Sequence, residues 1–252
     1  KDIETQYGMF GVDATEAQAA VEATADAMGG VSRESLKAAH SVAQLTAQFG
    51  IVASDSAKIM VQMKALGGVS GEAAENMMEM ARAMAQGAGV SPADVMSDVA
   101  QNSELFAKFG KQGGKNMMKA AIATRKLGME LETISTITDS IMNIEESITA
   151  EMEASVMLGR QINFNKAREL MMAGDMVGAQ KEILKQVGSQ AEFDKMSFYQ
   201  REALAGAMGI QVDQLGTMIS NQEELNNLTW AEKQTADMWA SSVEYLAKPP
   251  PI

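Results

Sequence analysis

The sequence contains no cysteine among its 252 residues. This absence excludes disulfides, thiolate nucleophiles and zinc sites built on cysteine. There is one histidine, His40, so a metal site with two histidines is also excluded, and any histidine-dependent catalytic triad would have to use this residue. His40 stands among small apolar residues in SLKAAHSVAQL, a pattern that favours a histidine on a helix over a catalytic one.

Long apolar runs and an excess of positive charge are missing too. No stretch approaches the roughly 18 apolar residues that a membrane-spanning helix needs, so no membrane span is predicted. The net charge of −12 argues against general affinity for nucleic acid. The chain starts KDIETQYGMF and stops KPPPI, and we expect both ends to be cuts in a longer protein.

Motifs for catalysis and for cofactor binding are not found. The stretch GKQGGKN at 110–116 superficially resembles a phosphate-binding loop, which needs four residues between its glycines and Ser or Thr after the lysine. Here three residues separate Gly110 from Gly114, and Asn116 follows the lysine. The sequence therefore predicts that the chain is not an enzyme, with no catalytic, cofactor-binding or metal-binding residues.

Acidic pairs are present, but they have no histidine partner. Glu145 and Glu146 are adjacent, and Glu151 and Glu153 are two residues apart. Di-iron helical bundles need Glu-x-x-His pairs, which a chain with one histidine cannot supply. We interpret these carboxylates as a solvated helix face.

Helix-forming residues and methionine are abundant. Ala, Met, Glu, Gln and Lys dominate and β-branched runs are missing, which predicts an all-α fold. The expected architecture is an array of short helices joined by glycine-containing turns, with one long helix near the middle. The 22 methionines fit two roles that the sequence leaves open, core filling or adaptable contacts between chains.

A repeated Gly-Val-Ser pattern separates the first helices. Glycine can take the left-handed conformation that ends a helix, and a serine hydroxyl can cap the next one. The residues with these predicted roles are Gly29, Ser32, Gly67, Ser70, Gly89 and Ser91. Helices are predicted at 14–28, 33–49, 54–66, 71–87, 92–108, 115–127, 130–158, 164–173, 176–187, 198–208, 213–220 and 230–247. We divide the chain into an N-terminal helical region, 1–128, and a region of long helix followed by helical hairpins, 129–252.

Isoleucines in the predicted long helix alternate by three and four residues. They are Ile134, Ile137, Ile141, Ile144 and Ile148. This spacing is typical of a coiled-coil seam, and isoleucine at both seam positions favours three or four strands over two. The pattern predicts self-association, with a trimer as the expected form. A helix packed against neighbours in its own chain would show the same pattern over so short a length.

Charge is segregated along the middle of the chain. Residues 105–129 contain no acid and residues 130–153 contain no base. A turn at Gly128 would place Lys119 near Asp139, so helix 115–127 is predicted to pack antiparallel on 130–158. A basic stripe for DNA is the alternative, which the adjacent acids make less favourable.

Three stretches together resemble the tail tape measure proteins of large contractile-tailed bacteriophages. They are SPADVMSDVAQNSELFAKF (91–109), IMNIEESITAEMEASVMLGRQINFNKARELMMAGDMVGAQKEILKQVG (141–188) and EFDKMSFYQREALAGAMGIQVDQL (192–215). The most distinctive part is LGRQINFNKAREL followed by a Gly-Asp turn and a second helix. These are packing and capping patterns, and the resemblance covers half of the chain.

The resemblance implies a structural virion protein inside the phage tail, made in the host cytoplasm during assembly. Such a protein sets tail length, contacts tail tube subunits, the baseplate hub and tail assembly chaperones, and leaves the tube before genome ejection. The alternative is a non-enzymatic helical adaptor or scaffold. Its partner-binding element would be the hairpin at 165–185, which is similar to a single tetratricopeptide unit.

Overall fold

The structure is a computed structural model that describes residues 14–65, 68, 70–110 and 114–222. In this part of the chain every regular element is a helix and no strand occurs, so the predicted all-α fold is confirmed. None of these helices is long and apolar enough to cross a membrane.

The helices are short and follow each other closely. In chain order they are α1 (Ala14–Met28), α2 (Arg33–Phe49), α3 (Ala53–Ala65), α4 (Gly71–Ala88), α5 (Pro92–Gln101), α6 (Ser103–Phe109), α7 (Lys115–Lys126), α8 (Leu131–Met142), α9 (Ile144–Leu158), α10 (Asn165–Ala173), α11 (Met176–Val187), α12 (Gln190–Lys195), α13 (Phe198–Ala207) and α14 (Val212–Ser220).

The helices form two compact units. The first extends to Met118 and the second begins at Lys119, so the division falls within α7, ten residues before the predicted boundary at 128. In the first unit α1, α2 and α3 pack on one another and α3 packs on α5. In the second unit α9 packs on α13, and the consecutive helices α10 and α11 pack on each other.

Serine caps and left-handed glycines begin and end several helices. The side chains of Ser32, Ser70 and Ser91 accept hydrogen bonds from backbone N–H groups three residues later, as the Gly-Val-Ser pattern predicts. Gly29 and Gly89 have φ of +79° and +73°, where a residue with a Cβ would be strained. Gly67 lies outside the described residues, as does the helix predicted at 230–247.

Two predicted helices are interrupted, and one helix is found that the sequence analysis missed. The helix expected at 92–108 breaks at Asn102, and the long helix expected at 130–158 breaks at Asn143. In both places the asparagine backbone N–H still closes the preceding helix, and the next helix starts at once. The missed helix, α12, has only six residues and starts at a capping box on Ser189.

Methionine fills much of the interior. The buried methionines are Met60, Met63, Met77, Met78, Met80, Met84, Met96, Met117, Met118, Met129, Met171, Met176, Met208 and Met218. Methionine is unbranched and flexible, so it fills irregular gaps between packed helices. Core filling is therefore the role of these residues, while Met152, Met157 and Met172 are exposed.

Candidate functional site

The five isoleucines of the predicted seam do not share one face. Ile134, Ile137 and Ile141 are buried in the core, while Ile144 and Ile148 beyond the break are 58% and 45% exposed. The break at Asn143 separates the three buried isoleucines from the two exposed ones, so the five do not form one continuous stripe. Self-association of the chain stays a prediction. The first three isoleucines belong to the fold of the chain itself.

A buried ion pair holds α9 to α10. The Arg168 guanidinium, 6% exposed, bonds to the carboxylate of Glu151, 5% exposed. The same Nη2 atom donates to the Ser147 hydroxyl at 2.6 Å, and Nη1 donates to Asn165 Oδ1 at 2.6 Å. The interpretation of Glu151 as part of a solvated face is therefore wrong, since this carboxylate is inside and paired.

The second carboxylate oxygen of Glu151 fixes the chain that enters α10. The backbone N–H of Phe164 donates to Glu151 Oε2 at 2.9 Å, and the Phe164 ring is fully buried. One turn further along α9, the Ser155 hydroxyl accepts from the N–H of Ile162 at 2.8 Å. The stretch GRQINF thus runs back along α9, bonded to its side chains.

The same arginine accounts for the break between α8 and α9. Arg168 Nε donates to the backbone carbonyl of Ile141 at 2.8 Å. In a continuous helix that carbonyl would accept from the N–H four residues later, so the break would leave a buried acceptor without a donor. Arg168 supplies the donor and makes the interruption at Asn143 tolerable.

The tetratricopeptide-like hairpin is an internal element. Gly174, at φ +81°, ends α10, and the Asp175 carboxylate accepts from the N–H of Gly178 at 2.9 Å to begin α11. Most apolar residues of the two helices are buried, among them Met171, Ile183 and Leu184, while Met172 is exposed. The hairpin therefore uses most of its apolar surface for packing within the fold.

An apolar row runs along the outside of α9. Ile144, Ile148, Met152 and Val156 follow one another at intervals of four residues and are 45–81% exposed. Residues four apart are neighbours on a helix surface, so the four side chains form one ridge. The next residue after the ridge, Met157, is also exposed. We call Ile144, Ile148, Met152 and Val156 the α9 ridge.

Two exposed aromatic residues lie at the end of α9. Phe198 and Tyr199 begin α13, are 65% and 67% exposed, and meet edge to face with ring centroids 5.6 Å apart. The Gln200 side chain donates to the Met157 carbonyl at 3.0 Å, which attaches the start of α13 to the end of α9. The aromatic pair thus adds to the exposed apolar surface at this end.

Free carboxylates border the α9 ridge. Glu145, Glu146 and Glu153 are exposed, and none of the three forms a salt bridge with any residue of 14–65, 68, 70–110 or 114–222. Glu145 and Glu153 lie one residue further round the helix than Ile144 and Met152. The exposed side of α9 therefore combines an apolar ridge with negative charge.

The charge pairing predicted across Gly128 stays a prediction. Lys119 lies in α7 and Asp139 in α8, and both have polar or electrostatic partners. Among the described residues no group of three or more His, Asp or Glu side chains could hold a metal ion.

Comparison of the chain with family models, with curated proteins and with solved structures finds no match. The site has two parts, a buried ionic network centred on Arg168 and an exposed ridge beside the buried row on α9.

Proposed function

We propose that the chain is a structural segment of a phage tail tape measure protein, which takes part in setting tail length and organising the tail tube and baseplate hub. The proposal starts from the residues of 91–109, 141–188 and 192–215 that resemble this family. It includes contacts with tail assembly chaperones, a location inside the tail of the virion and release before genome ejection.

The observation that supports the proposal is that the most distinctive stretch of the resemblance forms one structural unit. LGRQINFNKAREL contains Arg168, whose side chain joins α8, α9 and α10, and Phe164, whose backbone is bonded to Glu151. A stretch whose residues are used for internal bonding suits a structural protein, because its side chains position helices.

Self-association through all five isoleucines is not part of the proposal. Ile134, Ile137 and Ile141 are inside the fold, and exposing each of these side chains to water would cost about 1.5–3 kcal/mol. Contacts with other tape measure copies would have to use other residues.

An early amber codon in the gene tests the proposal in a phage that encodes this chain. In a non-suppressing host we expect heads without tails in electron micrographs, and in a suppressing host normal tails. Mass spectrometry should detect the protein in intact virions and find it lost after ejection. Normal tails on particles that lack the protein would contradict the proposal.

The second candidate is a helical adaptor, and the α9 ridge is the observation that favours it. A partner would bind this exposed apolar surface and not the hairpin at 165–185, most of whose apolar residues are buried. An adaptor predicts normal tails in the amber experiment, so the same micrographs separate the two candidates.

A further inference from the structure

We propose that the α9 ridge is the docking site for an amphipathic helix of another protein, with lysine or arginine beside its apolar face. The inference does not depend on the tape measure proposal, since it rests on the exposed side chains of α9 alone. The surface consists of Ile144, Ile148, Met152 and Val156, with Glu145 and Glu153 along its edge.

The orientation of α9 is opposite to that of an ordinary surface helix. Its buried residues are Ser147, Glu151 and Ala154, two of which are polar, while its four ridge residues face solvent. A helix at the surface of a globular domain normally buries its apolar stripe and exposes its polar side. Holding α9 this way requires the buried bonds from Arg168 to Ser147 and Glu151, so the exposure of the ridge is built into the fold.

The dimensions of the ridge fit a single helix. From Ile144 to Val156 the helix rises about 18 Å at about 1.5 Å per residue, which matches about three turns of a partner helix. Rows of side chains four apart form ridges that fit into the groove of another helix. Phe198 and Tyr199 at one end supply the aromatic residues that are enriched in protein interfaces.

Charge selects the partner. The three carboxylates beside the ridge, Glu145, Glu146 and Glu153, have no salt bridge within the described residues. Residues 130–153 contain no base at all. A helix with lysine or arginine flanking its apolar face complements this edge, and such charge complementarity raises association rates and excludes wrong partners.

A second copy of the chain does not fit this surface. Two α9 ridges brought together would also bring together two sets of like-charged carboxylates, which is unfavourable. The basic helix of the same chain, α7, cannot serve either, because its apolar residues Met117, Met118 and Ile122 are already buried. With pairing of two ridges and binding of α7 excluded, the occupant that we propose is a helix of a different protein.

Binding of designed peptides to the whole chain tests the proposal. The probe is a fluorescein-labelled peptide of about 18 residues, long enough to form a helix on binding, with leucine at every third or fourth position and lysine on both sides. One control peptide has glutamate in place of lysine, and another has the same residues in an order without an apolar face. Fluorescence anisotropy should show binding of the lysine peptide at least about tenfold tighter than of either control.

Variants of the chain then locate the binding site. Ile148→Ser combined with Met152→Ser should weaken binding of the lysine peptide by about tenfold or more. The matched control is Val52→Ser, which changes an exposed valine, 62% exposed, outside α9 and should leave binding unchanged. Glu145→Gln combined with Glu153→Gln should weaken binding and reduce its dependence on salt. Circular dichroism should show the same helix content in every variant, since all changed side chains are exposed.

Three results would overturn the proposal. Equal binding of the lysine and glutamate peptides would remove the charge argument. Equal weakening by Val52→Ser would show that the peptide binds elsewhere. A dimer in sedimentation velocity that becomes monomeric in the Ile148→Ser and Met152→Ser double variant would make a second copy the occupant. None of these results depends on whether the amber phage makes tails.

Discussion

Helices α2 and α9 are similar in length but bury opposite kinds of side chain. Helix α2, of 17 residues, buries Val42, Leu45 and Phe49 and exposes charged residues such as Glu34 and Lys37. Helix α9, of 15 residues, buries Ser147 and Glu151 and exposes its four ridge residues. An apolar stripe is enough to hold α2, whereas α9 depends on a buried ionic network that compensates each polar group it takes out of water.

The two helices also differ in how many of their apolar side chains remain exposed to a partner. The large apolar side chains of α2 are buried, with the exception of Leu36, which is 47% exposed. Those of α9 remain available to a partner.

Arg168→Met should have the largest effect. It leaves the buried Glu151 carboxylate without the charged partner of its salt bridge and the Ile141 carbonyl without the Arg168 donor, and loss of one partner of a buried pair costs about 3–5 kcal/mol. Urea unfolding followed by circular dichroism measures the change in unfolding free energy.

Two further variants serve as controls for this experiment. Arg82→Met removes an exposed pair with Glu79 and should cost about 0–1 kcal/mol. Arg168→Met combined with Glu151→Leu should be more stable than Arg168→Met alone, because no unpaired charge stays inside. Recovery should be incomplete, since the Phe164 N–H then lacks its acceptor. Equal losses for Arg168→Met and Arg82→Met would refute the importance of the buried network.

Ile141→Ala and Ile144→Ala test the two sides of the break at Asn143. Ile141 is fully buried and Ile144 is 58% exposed. The first change should lower the unfolding free energy by about 2–5 kcal/mol, and the second should change it by no more than about 0.5 kcal/mol. Similar losses from both, measured by urea unfolding, would mean that the seam is continuous after all.

Local signals predicted more of this fold than long-range ones. The starts of α2, α4 and α5 follow from Ser32, Ser70 and Ser91, because a cap needs only the next three residues. The break at Asn143 was not predictable, since the donor that compensates it, Arg168, is 27 residues from Ile141 in sequence. The exposed ridge was not predicted for the same reason. The isoleucine spacing alone does not show that the isoleucines before Asn143 are buried and those after it are exposed.

The burial of Glu151 shows why the rest of the site could not be predicted from the sequence. Its neighbours Glu145, Glu146 and Glu153 are exposed as the sequence suggested, and only Glu151 shares a helix face with Ser147 and Ser155. A carboxylate four residues from a serine on each side was a signal for a buried polar row, but its arginine partner lies in another helix. Sequence alone gave no means of choosing that partner.

Ser91→Ala should have a smaller effect than the core changes. The Ser91 hydroxyl accepts from the N–H of Asp94 at 3.3 Å, and Pro92 follows at the first helical position. Loss of such a cap costs about 1 kcal/mol, which urea unfolding can resolve. Ser91→Asn keeps a side-chain acceptor and should restore most of the stability. A Ser91→Ala protein as stable as the original would contradict the cap.

The smallest effect is expected from protonation of Glu192 in the capping box of α12. The backbone N–H of Ser189 donates to Glu192 Oε2 at 2.7 Å, and the Ser189 hydroxyl lies 3.1 Å from the same oxygen. These bonds, the backbone one foremost, favour the charged carboxylate and hold the pKa of Glu192 below its ordinary value. A lowered pKa in the folded state means that the charged form stabilises the fold. The contribution is complete above the ordinary glutamate pKa and is lost as the pH falls through the lowered value.

Nuclear magnetic resonance titration of the Glu192 carboxyl carbon should give this lowered pKa, and Ser189→Ala should raise it part of the way back, because the backbone donor remains. The loss in stability from Glu192→Gln should correspondingly be constant near neutral pH and shrink in acid. A Glu192 pKa at or above its ordinary value would show that the capping box does not form in solution.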